Sequence, residues 1–228
     1  MMKVGMALLA AVVLLGACSE TTGPELRLDA TVRVLHAAPE TPRLDVVLEG
    51  VTRTVLEYAE LSERYTVESG DRQLRLVVAG ETEALIDLQT LFDSGTAYTV
   101  LAAGRAGEIM PIVLVDDPTP ADTGETRIRF VHAAPTAGVV DIHVGEPGTP
   151  LTASTPMLTS VAFGNASEYM VVESTTYQVR VTSAGGTDVL IDLPLLVLSS
   201  TRVVTIVMMD TMGSGSPHGL IILSDREQ

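Results

Sequence analysis

Apolar positions in this chain come in short runs, about 8–12 residues apart, separated by turn residues. In Gln73-Leu74-Arg75-Leu76-Val77 apolar and polar side chains alternate, so Leu74 and Leu76 share one face of a strand. Gly50, Ser69-Gly70-Asp71, Gly80 and Ser94-Gly95 break the first half into strands over Thr31–Ala37, Leu44–Glu49, Thr52–Tyr58, Arg64–Val67, Gln73–Val78, Ala84–Leu88, Ala97–Ala102 and Ile109–Val115. Leu88 to Phe92 reads as a helical turn. The second half gives strands over Thr126–His132, Val139–Val144, Thr159–Phe163, Glu168–Val172, Tyr177–Thr182, Val189–Leu193, Arg202–Met209 and Gly219–Leu223. Met212 to His218, rich in Gly and Ser, is a hairpin tip. With regular strands and no amphipathic helix, the pattern predicts an all-β protein of sandwich type.

The two halves repeat each other. Val32-Arg33-Val34-Leu35-His36-Ala37-Ala38-Pro39, then Leu44-Asp45-Val46, returns as Ile128-Arg129-Phe130-Val131-His132-Ala133-Ala134-Pro135, then Val140-Asp141-Ile142. His36 and His132 are 96 residues apart, as are Asp45 and Asp141. Ala84-Leu-Ile-Asp-Leu88 returns as Val189-Leu-Ile-Asp-Leu193. A period near 100 residues predicts two tandem β-sandwich domains, immunoglobulin-like or transthyretin-like, each long enough to bury its own core. They span residues 31–117 and 126–228, with residues 118–125 as linker. Pro118 and Pro120 fix φ and remove backbone donors there, so no strand passes through and the link is semi-stiff.

Composition adds a compartment. Lys3 and the apolar run Val4 to Leu15 form an export signal over residues 1–17. The run is too short for a membrane span, which needs about 20 residues. It ends in Leu15-Gly16-Ala17-Cys18, which looks like a bacterial lipobox, and Cys18 is the only cysteine, so no intrachain disulfide forms. This predicts a lipidated Cys18 (diacylglycerol plus an acyl chain such as palmitate) and a polar tether over residues 18–30. Ser19 after the cysteine favours the outer membrane by the enterobacterial sorting rule.

Charge removes function classes. The formal net charge is −15, with 14 Lys and Arg against 29 Asp and Glu. Nucleic-acid binding rests on neutralising phosphates with basic side chains, so nucleic acid is not expected as a partner. The acidic balance reads as solubility through self-repulsion, with attraction of cations such as Ca²⁺ as the sharper alternative.

The repeated stretch resembles the bacterial domain of unknown function 4397 family, in which a strand ends in a His-Ala-Ser-Pro-like turn and leads into a Val-Asp-Val strand. Leu56-Glu57-Tyr58 and Val161-Ala162-Phe163-Gly164 are similar to that family's Leu-x-Phe-Gly step. Ser62 to Tyr65 and Ser167 to Tyr169 are similar to its Ser-x-Tyr step. Ala59 departs from the pattern where the second copy has Gly164. The resemblance implies a fold but no activity.

His36, Asp45, His132 and Asp141 are the candidate structural or binding residues. Period-2 parity puts Val32, Val34 and His36 on the core face, and Ile128, Phe130 and His132 likewise. Each imidazole is then expected to satisfy backbone groups of the turn after it. Asp45 and Asp141 fall on the opposite face, where they are expected to pair with Arg33 and Arg129. His143 shares the outward face of Asp141 and reads as solvated. Asp116, Asp117, Asp122 and Glu125 are oxygen ligands in principle, but they lack a calcium-loop spacing. Tyr58, Tyr65, Phe163, Tyr169 and Tyr177 read as sandwich core. With no Gly-x-Ser-x-Gly, phosphate loop or Cys–His cluster, neither catalysis, a cofactor nor a metal is expected.

The sequence thus predicts a lipid-anchored cell-envelope protein, a non-enzymatic binding or structural module. Its expected contacts are the membrane, through the anchor, and an envelope protein or polysaccharide. The alternative is an envelope enzyme or an accessory carbohydrate-binding module acting on cell-wall polymer. Cys18→Ser is expected to block lipid attachment and cleavage. Mass spectrometry of the mature N-terminus checks this, and an unmodified Cys18 in the wild type would end the lipoprotein reading.

Overall fold

In the computed structural model, residues 29–212 and 217–226 are described. The predicted signal, Cys18 and nearly all of the tether lie outside them, as do residues 213–216 of the predicted hairpin tip. The first half contributes β1 (Ala30–Ala37), β2 (Leu44–Leu48), β3 (Val51–Leu56), β4 (Tyr65–Val67), β5 (Gly70–Val78), β6 (Ala84–Phe92), β7 (Ala97–Arg105) and β8 (Glu108–Asp116). The second contributes β9 (Glu125–Ala133), β10 (Val140–Gly145), β11 (Leu158–Val161), β12 (Met170–Glu173), β13 (Thr176–Ser183), β14 (Val189–Val197), β15 (Val203–Asp210) and β16 (His218–Ser224). The stretch Leu88–Phe92, expected as a helical turn, continues β6 as a strand. Its register opposite Gly70–Leu74 of β5 supplies the ladder bonds that a helix would forgo.

Each half is a sandwich of two four-stranded sheets. The orders are β3-β2-β5-β6 with β4-β1-β7-β8, and β11-β10-β13-β14 with β12-β9-β15-β16, the same topology twice. β1 runs parallel to β7, and β9 parallel to β15, while their other neighbours are antiparallel. One core packs between the sheets of the first half, around Val32, Val34, Leu44, Leu74, Leu76 and Phe92. A second packs in the other half around Ile128, Phe130, Val140, Val181 and Ile206.

A third apolar cluster joins the halves. Leu35, Ala37, Leu101, Ala103, Ile112 and Leu114 meet Val131, Ala133, Val207, Met209 and Leu223, so β4-β1-β7-β8 packs against β12-β9-β15-β16. The four sheets therefore stack as outer, inner, inner, outer. The central strands of the inner sheets, β1, β7, β9 and β15, are covered on both faces, and every residue of β15 is buried. Strands of this kind read as continuous apolar runs, whereas β2, with only one face on a core, alternates buried and half-buried.

This stacking overturns the expected partners of Arg33 and Arg129. Their faces are turned not to solvent but to the other sandwich, and both residues are buried. Arg33 Nη2 donates to Asp225 Oδ1 at 2.5 Å, Nη1 to the Ser224 carbonyl at 2.6 Å and Nε to Thr99 Oγ1 at 2.9 Å. Arg129 mirrors it, donating to Asp116, to the Val115 carbonyl at 2.8 Å and to Thr205 Oγ1 at 2.6 Å. Each arginine thus crosses to an aspartate at the end of the last strand of the other half, Asp116 closing β8 and Asp225 directly following β16. Asp116, by sequence only an oxygen ligand in principle, also accepts from Thr99 Oγ1 at 2.6 Å and Arg64 Nη2 at 2.7 Å. Asp225 accepts from Thr205 Oγ1 at 2.5 Å and Tyr169 Oη at 2.8 Å. Tyr169, expected as plain core, is one of the polar partners here. Burial and the neighbouring Asp225 push its phenol pKa up. Arg127 and Arg129 lie over its ring, 4.9 and 4.6 Å from the centroid.

The linker is tied down as well. Arg127 Nη2 donates to Asp117 Oδ2 at 2.6 Å and Nη1 to the Thr119 carbonyl at 2.7 Å, and Ala121 is buried.

Removing one member of a buried ion pair costs about 3–5 kcal/mol, because the charge left behind has no partner. Asp116→Ala strands Arg129 and Arg64, so a loss of that order is expected. The same change should split a single urea transition of the full chain into two, since Asp116 and Arg129 belong to different sandwiches. A stability loss below about 1 kcal/mol would show that the exchange does not hold the halves together.

Candidate functional site

The repeated residues meet in space as a clasp at the end of each inner sheet. In the first half, His36 lies at the end of β1 and is fully buried. Its Nε2 is 3.1 Å from the Pro42 carbonyl, and its Nδ1 accepts from the Ala38 amide at 3.4 Å. A carbonyl only accepts and an amide N–H only donates, so the ring is the neutral tautomer with its proton on Nε2. His132 repeats this, with Nε2 2.7 Å from the Gly138 carbonyl and Nδ1 3.2 Å from the Ala134 amide. Burial pushes both imidazole pKa values below the ordinary value, although the carbonyl bonds oppose the shift.

The Leu-x-Phe-Gly-like step closes the clasp. The ring of Tyr58 meets His36 edge-on at 6.1 Å, and Phe163 meets His132 at 6.2 Å. The Ala59 amide donates to the His36 carbonyl at 2.8 Å and the Gly164 amide to that of His132 at 2.9 Å. Both residues have positive φ, 67° and 85°, so the first copy holds alanine in the left-handed region that glycine occupies freely. Ser62 Oγ accepts from the Val34 amide, and Ser167 Oγ from the Phe130 amide.

Asp45 and Asp141 do not join the histidines. Asp45 is half-buried on the outward face of an outer sheet, between Val55 and Val77 in register. The whole first core separates it from Arg33, which faces the second sandwich, so the expected pairing fails. Asp141, expected to be solvated and paired with Arg129, is buried and accepts from the Ser160 and Gly185 amides, each at 2.8 Å. Those two bonds hold its carboxyl below the usual carboxylate range. His143 is buried too, since the 145–155 loop folds over its face and brings Ser154 Oγ to 3.1 Å from Nδ1. Asp141 is held by backbone amides and His143 by Ser154, so the two side chains have separate hydrogen-bond partners.

What sequence reading missed lies between the two clasps. Pro39 and Glu40 from the first His-Ala-Ala-Pro turn, Thr136 from the second, Arg105 after β7, and Asp210, Thr211, Met212 and Pro217 around the β15–β16 hairpin line a groove of about 320 Å³. In the first half, Arg105 Nη2 donates to Glu40 Oε1 at 2.7 Å and holds that carboxyl below its usual range. In the second, Thr136 Oγ1 donates to Asp210 Oδ1 at 2.6 Å and lies 3.0 Å from His218 Nε2. The hydroxyl proton points at the carboxylate, so the hydroxyl accepts from the imidazole, which fixes the turn and does not prime a nucleophile. Tyr58 Oη donates to the Asp210 carbonyl and so ties the first clasp to the second. The signal was present as the unlike residues at matching places, Glu40 against Thr136 and Gly104 against Asp210.

Fold and site define an all-β protein of two like sandwiches, fused face to face, with one groove between their repeated turns. The chain matches a family model described as domain of unknown function (DUF4397) over residues 30–143, half its length, and belongs to that family. The match takes in β1 to β9 and most of β10, and with them both His-Ala-Ala-Pro turns. No curated protein matches. Among solved structures it is similar to the TIE protein of Bacillus anthracis, at 6% identity and TM-score 0.25, over 79% of this chain and 33% of that one. It is also similar to a family 26 carbohydrate-binding module of Amy13K from Eubacterium rectale, solved with maltoheptaose, at 12% identity and TM-score 0.23, over 85% and 96%. A leucine-rich repeat protein from Bacteroides thetaiotaomicron follows at 14% and 0.21, over 78% and 25%. The chain spans about a third of the first of these, and TM-scores of this size say nothing about shared architecture.

The histidines give a pH test with a definite sign. A folded-state pKa below the unfolded value means that the unfolded chain takes up the proton first. His36 and His132 therefore cost no stability above about pH 6.5, and the fold weakens as pH drops below that value. His132→Ala should lower stability by about 1–3 kcal/mol at neutral pH, through the bonds lost at Gly138 and Ala134. It should also flatten the fall in urea midpoint between about pH 6.5 and 5. An unchanged slope would mean that His132 is not held neutral.

Proposed function

We propose that this chain is a lipid-anchored protein of the cell envelope that binds a partner there and catalyses no reaction, with the groove between the two His-Ala-Ala-Pro turns as its recognition surface. The anchor rests on the Leu15–Cys18 stretch, which lies outside the described residues. The observation that carries the binding role is the groove itself. Both halves line it, and the two turns that form part of its walls are held by the buried clasps. Sites on rigid elements cost little entropy to order on binding.

The position of the chain entry supports the same reading. Ala30 opens β1 and the first turn follows its far end, so the groove lies about 25 Å along the strand from where the chain enters. A tether attached at Cys18 then leaves the groove facing away from the lipid. The outer membrane is the expected location, from Ser19, and an envelope protein or polysaccharide the expected partner.

A photo-crosslinking residue in place of Glu40, at the groove, is to be compared with one in place of Glu173, at the entry end. In cells expressing the full chain, an adduct to one envelope component is expected from the first position alone. Equal labelling from both positions, or recovery of the chain in the soluble fraction, would overturn the proposal. A saccharide adduct would assign the partner to cell-wall polymer.

A further inference from the structure

The two clasps differ in charge. In the first, an acid on the turn meets a cation on the hairpin, as Glu40 pairs with Arg105. In the second the acid is on the hairpin, and the turn opposite offers only the neutral Thr136. Asp210 is buried to all but 5%, yet it lines the open groove. Among the described residues no arginine or lysine stands within ion-pair distance of it, and the nearest basic group is the imidazole of His218 at 3.5 Å. Arg105 lines the same groove but is engaged by Glu40 at 2.7 Å. Its hydrogen bonds come from the neutral Thr136, from Oγ1 at 2.6 Å and from the amide at 3.4 Å, so among the described residues no arginine or lysine at ion-pair distance offsets its charge. The matching position in the first half is Gly104, so the carboxylate is particular to the second half, where it also holds the Thr136 turn.

We propose that Asp210 is the anchoring group of a subsite for a cationic side chain, the ammonium or guanidinium of a basic peptide segment, with Thr136 Oγ1 beside it and Glu40 across the groove. This rests on the groove's role in recognition given above and names the ligand class. An ammonium entering there adds a full positive charge to the partners that the carboxylate already has in Thr136 and His218, in a charge-assisted bond. The groove volume of about 320 Å³ is at the low end for small-molecule sites and suits one extended side chain. Pro39, Met212 and Pro217 offer apolar contact to its methylene stem. The net charge of −15 steers such ligands towards the protein, so that association is fast at low salt.

The test is a titration of the full chain in detergent, by ligand-observed NMR, with acetyl-Gly-Lys-Gly-amide and with the same peptide acetylated on the lysine amine. Saturable binding of the free amine alone is expected. Asp210→Asn, which keeps the shape of the side chain, should weaken it about tenfold or more. Arg105→Ala breaks an exposed ion pair without touching a core, releases Glu40 and should tighten binding about threefold, so it gives a reading even if Asp210→Asn folds poorly. Binding that ignores both substitutions is general attraction to an acidic surface and overturns the proposal, as does equal binding of the acetylated peptide. No binding to the wild type also overturns it, while an envelope adduct from the Glu40 position would still stand and point to an uncharged partner.

Discussion

The structure turns on the exchange of two arginines between two sandwiches. Arg33 of the first half reaches Asp225 of the second, and Arg129 of the second reaches Asp116 of the first. All four are buried, and Thr99 and Thr205 fill the remaining bonds as a matched pair. Placing so much charge between apolar sheets lowers stability unless every partner is present. In return, the sheets can meet in one register. A slip by one strand residue would leave two guanidinium groups against Leu and Val side chains. The purely apolar contacts around Leu35, Leu101, Val131 and Val207 supply attraction but tolerate sliding.

That fixed register is what gives the far end its shape. With the inner sheets locked, the two His-Ala-Ala-Pro turns come to rest side by side, and the Tyr58 hydroxyl reaches the Asp210 carbonyl across the junction. The groove is therefore a product of the fusion of the halves, and neither sandwich builds it alone. The histidines act one step earlier. As neutral rings bonded to Pro42 and Gly138, they hold each turn against its own sheet. This is positioning work, which suits residues repeated in both halves, whereas the residues lining the groove differ between the halves.

Unlike residues at like positions carry the functional information. Two copies of one scaffold show what the fold itself uses twice: the histidine, the serine that caps the strand amide, the aromatic ring beside the imidazole. Arg64 and Tyr169 occupy matching places and both serve the buried aspartates, by different chemistry. Glu40 and Thr136 also occupy matching places, but Glu40 is paired with Arg105, whereas Thr136 meets Asp210, whose own match is Gly104.

Much of this was legible one residue at a time. Turn residues and period-2 alternation marked out strands of an all-β protein, because pleat geometry is local. The parity of Val32, Val34 and His36 alone is enough to set the imidazole on a core side. The same parity put Arg33 and Arg129 on the other face and went no further, since a face's direction does not tell what covers it. Their partners Asp225 and Asp116 are 192 and 13 residues away in the chain, and only the packing of two whole sheets brings them together. A hint was present in the run Val203-Val-Thr-Ile-Val-Met-Met209, apolar but for Thr205, which a strand covered on one side has no reason to carry. Asp141 and His143 show the same limit, because Asp141 is held by Ser160 and Gly185, and His143 is covered by a loop that Gln178 and Arg180 hold in place, all well removed in the chain. Sequence alone determined the strands and the repeat. The tertiary structure decided which charges are buried and which carboxylate faces a groove, since both depend on surfaces that exist only once the sheets have packed.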